Sequence, residues 1–216
     1  MIIAGVDVGI LTAICALLFI AIVWSIVKLI RRIVKKRDWQ YHAIVLVLLL
    51  VLFGVAGYFE GKQQYINYWA SEITRAVVGR DDVSAKCVRA LGDSLDVNQY
   101  GPYVGWVKPG DNYSKLDRTT CKRFQEWLAT DRKTATNDQA YALHTIMHEA
   151  IHVAGEFNES ETEYKSIILY EDIMVKFGMD REFARNYVEH FKKNITPRLP
   201  EQYHVDWAAK ENAKQE

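Results

Sequence analysis

Two stretches of the chain carry no charge. Val8 to Val27 (VGILTAICALLFIAIVWSIV) is a run of 20 uncharged, mostly apolar residues. At about 1.5 Å per residue it covers about 30 Å, the thickness of a bilayer's hydrocarbon core. A second uncharged run, Ala43 to Phe59, follows Trp39 and Tyr41, whose rings suit a membrane interface. The pattern predicts two transmembrane helices joined by a loop over 28–42. Asp7 lies before the first run and the basic residues lie after it, the reverse of a secretory signal, so both spans are expected to stay in the mature chain.

Beyond Phe59 the apolar positions become periodic. Tyr65, Ile66, Trp69, Ile73, Ala76 and Val77 recur at helical spacing and Gly79 closes the segment, which predicts a stalk helix within 60–80. A second helix is expected over Asp81–Leu95. Tyr103–Lys108 and Tyr113–Leu116 flank Pro109-Gly110-Asp111-Asn112, the composition of a tight turn between two strands, so a β-hairpin is predicted. Helices are then expected over Thr119–Thr130, from Thr136 to about Ala154, from Asn158 to about Phe177, and from Asp180 to about Asn194. Thr196 to Pro200, with two prolines, ends the last of these. The tail from Glu201 is polar except for Tyr203, Val205 and Trp207, expected to pack back, and frays from Ala208. The fold class is therefore mainly α (α+β): a membrane hairpin over 1–59, a stalk over 60–80, and a mainly helical domain with a small β-hairpin over 81–216.

Net charge is zero overall, with 27 basic and 27 acidic residues. The distribution is more informative than the total. Six basic residues crowd into Lys28–Arg37, whereas the segment from Glu60 holds 21 basic and 25 acidic residues. The basic loop is expected in the cytoplasm, with both termini and the domain on the outer face. A mildly acidic domain argues against nucleic acid as a partner. Cys87 and Cys121 would then lie where thiols oxidise. A bridge between them closes a loop of about 35 residues, worth about 3–4 kcal/mol in chain entropy. Cys15 falls inside the first span as an apolar packing residue.

Candidate chemistry concentrates between His144 and Glu163. Thr136-Asn137-Asp138-Gln139 is a capping box, and the helix it opens carries His148-Glu149-Ala150-Ile151-His152, an H-E-x-x-H pattern. Residues four apart share a helix face, so the two imidazoles can hold one zinc ion while Glu149 faces an attacking water. Gly155 suits a helix stop, and Asn158 with Glu161 suits a new start. A hairpin folded about Phe157 sets Glu163 level with Ala150, midway between the two histidines, and Glu159 level with Ala154. On that register Glu163 is the favoured third ligand and Glu159 its rival. His144, one turn before His148, is expected to support the site or line the cleft. Glu156, Glu161, Glu171 and Asp172 read as a solvated face.

These residues resemble the zincin metallopeptidases, and a His-His-Glu site is gluzincin-like. Asn158-Glu159-Ser160-Glu161-Thr162-Glu163 looks like the N-E-x-x-[ST]-[DE] motif of that clan, although six residues separate His152 from Glu159 where those enzymes have a much longer stretch. By that motif Glu159 is the ligand and Glu163 orients His148. Gly155 falls where metzincins have a turn glycine, but Asn158 stands where their third histidine would be. The segment beyond the membrane runs is also similar to uncharacterised bacterial and phage-borne zincin-like proteins. The resemblance implies zinc-dependent hydrolysis of peptide bonds with Glu149 as general base, on peptides, proteins or cell-wall peptides near the bilayer. It also implies that a strand, here within the β-hairpin, aligns extended substrate. His190, Tyr203 and His204 are candidate donors to the tetrahedral oxyanion. Two other readings remain: a zinc-stapled binding module without catalysis, and a membrane-assembly protein.

Overall fold

A long apolar run inside lipid can satisfy its backbone only within itself, which selects helix. The computed structural model describes residues 2–3, 6–7, 9–88 and 105–212. Its N-terminal part has a short antiparallel ladder, β1 (Ile2–Ile3) with β2 (Val6–Asp7), before helices α1 (Ile10–Val34) and α2 (Gln40–Val78). Both helices are long and apolar enough to cross a membrane. They run in opposite directions. Phe19 meets Phe53 at 6.4 Å between ring centroids, and Thr12 donates to Glu60 at 2.6 Å. Both pairs are centred on Lys36, which has a φ of 49°. Ile22 and Ser25 are buried while Leu17, Trp24, Leu48 and Leu52 are exposed, so apolar side chains cover the outside of the pair.

The chain divides into two compact units inside α2, between Tyr65 and Ile66. The expected stalk is therefore half domain. Ile66, Ala70 and Ile73 are buried in the core of the second unit. Polar groups on the same helix hold the next segment: Asn67 accepts from the Cys87 amide at 3.0 Å, and Ser71 accepts from the Ala85 amide at 3.1 Å. That segment is strand β3 (Ser84–Cys87), not the helix expected over 81–95, whose remainder from Arg89 lies outside the described residues. Ser84-Ala85-Lys86-Cys87 alternates between partly and fully buried, the period of a strand.

β4 (Gly105–Trp106) and β5 (Tyr113–Leu116) form the expected antiparallel pair, with Gly105 opposite Leu116; Tyr103 and Val104 fall outside the described residues. β3 pairs parallel with β5, giving the order β3-β5-β4. The Cys87–Cys121 disulfide is present, and it ties the end of β3 to α3 (Arg118–Leu128). Asp117 caps α3 by accepting from the Thr119 and Thr120 amides.

α4 (Asn137–Val153) starts at the Thr136–Gln139 capping box and is buried at every position from Ala142 to Val153. It is the central helix. α3, β4 and β5 pack against it, and so does α5 (Glu159–Lys176), which is capped by Asn158. α6 (Arg181–His190) passes into a π turn (Phe191–Ile195) before two 3₁₀ turns, Thr196–Arg198 and Glu201–Tyr203. The tail does not fray at Ala208. Trp207–Asn212 forms a helix, α7, in which Trp207 packs on Tyr164 and Lys210 pairs with Glu161.

Candidate metal centre

A helix buried on all sides gains most from apolar residues, yet α4 places His144, His148, Glu149 and His152 in the interior. Each such group needs a partner. α5, which returns antiparallel beside α4, supplies two carboxylates. Glu163 Oε2 lies 3.0 Å from His148 Nδ1 and 3.1 Å from His144 Nε2. Glu159 Oε2 lies 3.1 Å from His148 Nε2 and 3.4 Å from His152 Nε2. The remaining ring nitrogen of His152, Nδ1, lies 2.6 Å from the Glu156 carbonyl.

The placement of protons separates the two clusters. The Glu156 carbonyl can only accept, so His152 Nδ1 carries the proton and its Nε2 holds a lone pair. Glu163 is buried and ionised, so His148 Nδ1–H and His144 Nε2–H both donate to it. His148 Nε2 then also holds a lone pair. With both rings neutral, three electron-pair donors face one another around Glu159 Oε2. Such a point attracts a cation, either a metal ion or a proton on His148 Nε2. Donors about 2.0–2.1 Å from a tetrahedral ion stand about 3.3 Å apart, and the observed separations of 3.1 and 3.4 Å match that edge. The donor atoms of His148, His152 and the partly buried Glu159 all lie within 4.8 Å of one another, as do those of the buried His144, His148 and Glu163, so either group could hold a metal ion.

The hairpin expectation that favoured Glu163 differs from this geometry. Glu163 meets His148 through the ring nitrogen that faces away from Glu159, and it meets His144 rather than His152. The chain reverses at Gly155, with φ 100°, and not at Phe157. The pairs His152–Glu159 and His148–Glu163 are both centred between Gly155 and Glu156, so each carboxylate on α5 sits lower than the assumed fold placed it.

Burial and charge set the protonation of the cluster. For His148, burial opposes the charged form, but its hydrogen bonds to the Glu159 and Glu163 carboxylates outweigh it and raise the pKa to about 9. Burial acts upward on Glu159 and Glu163, and their histidine partners overcome it, bringing each to about 2. Glu149 is different. Burial raises it to about 7 despite the opposing pull of His148 and His152, and its Oε2 has no hydrogen-bond partner among the described residues.

A cavity of about 400 Å³ opens beside His148 and Glu149. Gly105 of β4 forms one edge. Tyr141, His144 and Thr145 line the α4 side, and Leu199, Pro200, Gln202 and Tyr203 form the opposite wall. Of the three oxyanion candidates, Tyr203 reaches the cavity, with its ring 5.8 Å from that of His148. His190 is paired with Asn194, and His204 Nε2 bonds the Leu199 carbonyl. The wall from Leu199 to Gln202 is not foreshadowed in the sequence, where its only signal is a few apolar residues in a polar tail. Gly105 carries no signal at all. The chain matches no protein-family model, no curated protein and no solved structure.

Proposed function

We propose that this protein is a membrane-anchored, zinc-dependent peptidase. The observation that carries the reading is the convergence of His148 Nε2, His152 Nε2 and Glu159 Oε2 with a buried, unbonded Glu149 beside them. Two imidazoles and one carboxylate suit zinc, and catalytic zinc sites keep three protein ligands and an open position. Among the described residues no fourth donor joins that point, because His144 is engaged by Glu163. This favours catalysis over a zinc staple, which would be closed by four ligands.

Bound there, zinc supplies a Lewis acid for the scissile carbonyl and lowers the pKa of a water. Glu149 accepts the proton of the attacking water and returns it to the leaving amine nitrogen. A pKa raised to about 7 by burial suits both transfers near neutral pH. Glu163 keeps the Nδ1 proton on His148, so that Nε2 presents its lone pair to the ion. The cavity beside Glu149 holds one large side chain of a peptide, protein or cell-wall peptide substrate. Tyr203, which lines the same cavity with its ring 5.8 Å from that of His148, is the candidate oxyanion donor in this reading.

The two apolar helices hold this domain at a bilayer, with the basic loop inside and the catalytic domain outside. The test uses the full chain in detergent, loaded with zinc and offered a mixed peptide library. Wild type is expected to cleave, and Glu149→Gln to retain zinc while losing about 10²–10⁴-fold in turnover. Cleavage that survives Glu149→Gln, or a wild type that holds zinc and cleaves nothing, would sink the reading.

A further inference from the structure

Glu149 is the one acidic group of the cluster that hydrogen bonding does not locate. Glu159 and Glu163 are each fixed by two imidazoles. Neither carboxylate oxygen of Glu149 has a hydrogen-bond partner among the described residues, although the residue is only 4% exposed. A buried side chain with several rotatable bonds and no polar anchor must be held by packing. The packing partner is β4. A Cβ placed on Gly105 would lie 2.6 Å from Glu149 Cγ and 2.8 Å from both Cδ and Oε1. No side chain can occupy that position unless Glu149 or the strand moves. The clash involves Cγ as well as the carboxylate, so rotating the far end of the side chain does not relieve it.

We infer that Gly105 is a positioning residue, whose bare backbone on β4 sets where the Glu149 carboxylate stands beside the metal point. This deepens the peptidase reading and rests on it for its catalytic consequence. The steric coupling itself needs neither metal nor substrate. β4 is itself held in place, since Gly105 pairs with Leu116 of β5, whose strand is tied through β3 and the Cys87–Cys121 bridge to α3. The metal ligands come from α4 and α5 and make no hydrogen bond with β4, so moving Glu149 leaves the ion's own donors in place.

The test is a double-mutant cycle on the full chain in detergent, with Gly105→Ala, Glu149→Ala and the pair. Melting temperature is read after chelator treatment, and zinc affinity by competition with a chromogenic chelator. Gly105→Ala is expected to lower the melting temperature when Glu149 is present and to leave it unchanged in the Glu149→Ala background. Zinc affinity should be that of wild type in both backgrounds. In the loaded protein, Gly105→Ala should cut peptide turnover about 100-fold, the scale of an ångström of misplacement, with KM little changed. Glu149→Asp, one methylene shorter, should recover part of that loss when combined with Gly105→Ala. Equal losses of stability in both backgrounds would overturn the inference, as would a loss of zinc affinity on Gly105→Ala. If wild type binds zinc and cleaves no peptide while the stability cycle shows coupling, the peptidase reading fails and the steric one stands.

Discussion

A neutral imidazole has one proton to give and one lone pair to offer, and the neighbours of each ring decide which nitrogen does which. In His148 the choice is made by Glu163 on one side, which leaves Nε2 facing Glu159. Without an ion, a proton is the cheapest cation for that gap. His148 is therefore held protonated up to about pH 9, against 6.5 for a free ring, with burial opposing and the two carboxylates prevailing. The sign of the linkage follows. Below pH 6.5 the ring is protonated in both folded and unfolded chains and its contribution to stability is complete. Between 6.5 and about 9 only the folded chain keeps the proton, so stability drains away as pH rises. Glu149 acts over a lower window: with its pKa raised to about 7, stability is lost from about 4.5 to about 7, where the unfolded chain's carboxyl ionises and the buried one keeps its proton. A metal must displace the His148 proton to bind. Chelator-treated protein should melt at progressively lower temperature from pH 6.5 to 9, and added zinc should raise the melting temperature by an increment that grows over the same range. An increment that shrinks with pH, or melting curves that stay flat, would show that no such proton is displaced.

The α4–α5 hairpin sets each glutamate against a different pair of histidines, Glu163 against His144 and His148 and Glu159 against His148 and His152, and the proposed zinc site takes the second group. Its centre at Gly155 rather than Phe157 sets Glu159 beside His152 and Glu163 beside His148. The two should then fail differently when removed. Glu159→Ala deletes one of three donors and should abolish stoichiometric zinc in the purified protein. Glu163→Ala leaves the donors but frees the His148 tautomer, and affinity should fall about 10–100-fold, as for other partners that orient a ligand. Zinc content by elemental analysis at stoichiometric metal, with a chelator titration, separates these outcomes. Loss on Glu163→Ala alone would restore the register centred on Phe157. Much of this hairpin was legible because its signals are local: a capping box at Thr136, histidines four apart, a glycine stop, and Asn158 as the next cap. β3 was not, because its strand character comes from pairing with β5 some thirty residues away and from two side chains of α2, none of which a short window contains. Gly105 was illegible for a related reason. Its absent side chain matters only because a glutamate 44 positions later comes within contact distance.

Charge and redox chemistry give independent readings of how the whole chain is arranged across a bilayer. The charge reading uses only Lys28 to Arg37, whose six cations favour the cytoplasmic side. The redox reading uses only Cys87–Cys121, a bond that persists in oxidising compartments and is rare in the cytosol. On the proposed topology, a chain that leaves the basic loop and crosses once through α2 would arrive on the opposite side before Cys87, so both signals favour a domain outside. They need not have agreed. Had α2 been a buried helix of a soluble protein, its 18-residue apolar window would be covered, yet none of it is buried. The disulfide matters to the site as well as to the topology, because the strand it secures through β5 is the one that carries Gly105. Removing the bridge in a Cys87→Ser/Cys121→Ser pair should therefore cost about 2–5 kcal/mol of stability. It should also depress turnover more than zinc affinity, since the ligands on α4 and α5 do not depend on the sheet. For topology, single cysteines at Lys36 and at Lys210, introduced into a chain with Cys15 replaced by Ala, can be probed on intact cells with a membrane-impermeant maleimide. Label is expected at position 210 and not at 36 until the membrane is opened. The reverse pattern would place the disulfide in the cytosol and remove the common ground of the two readings.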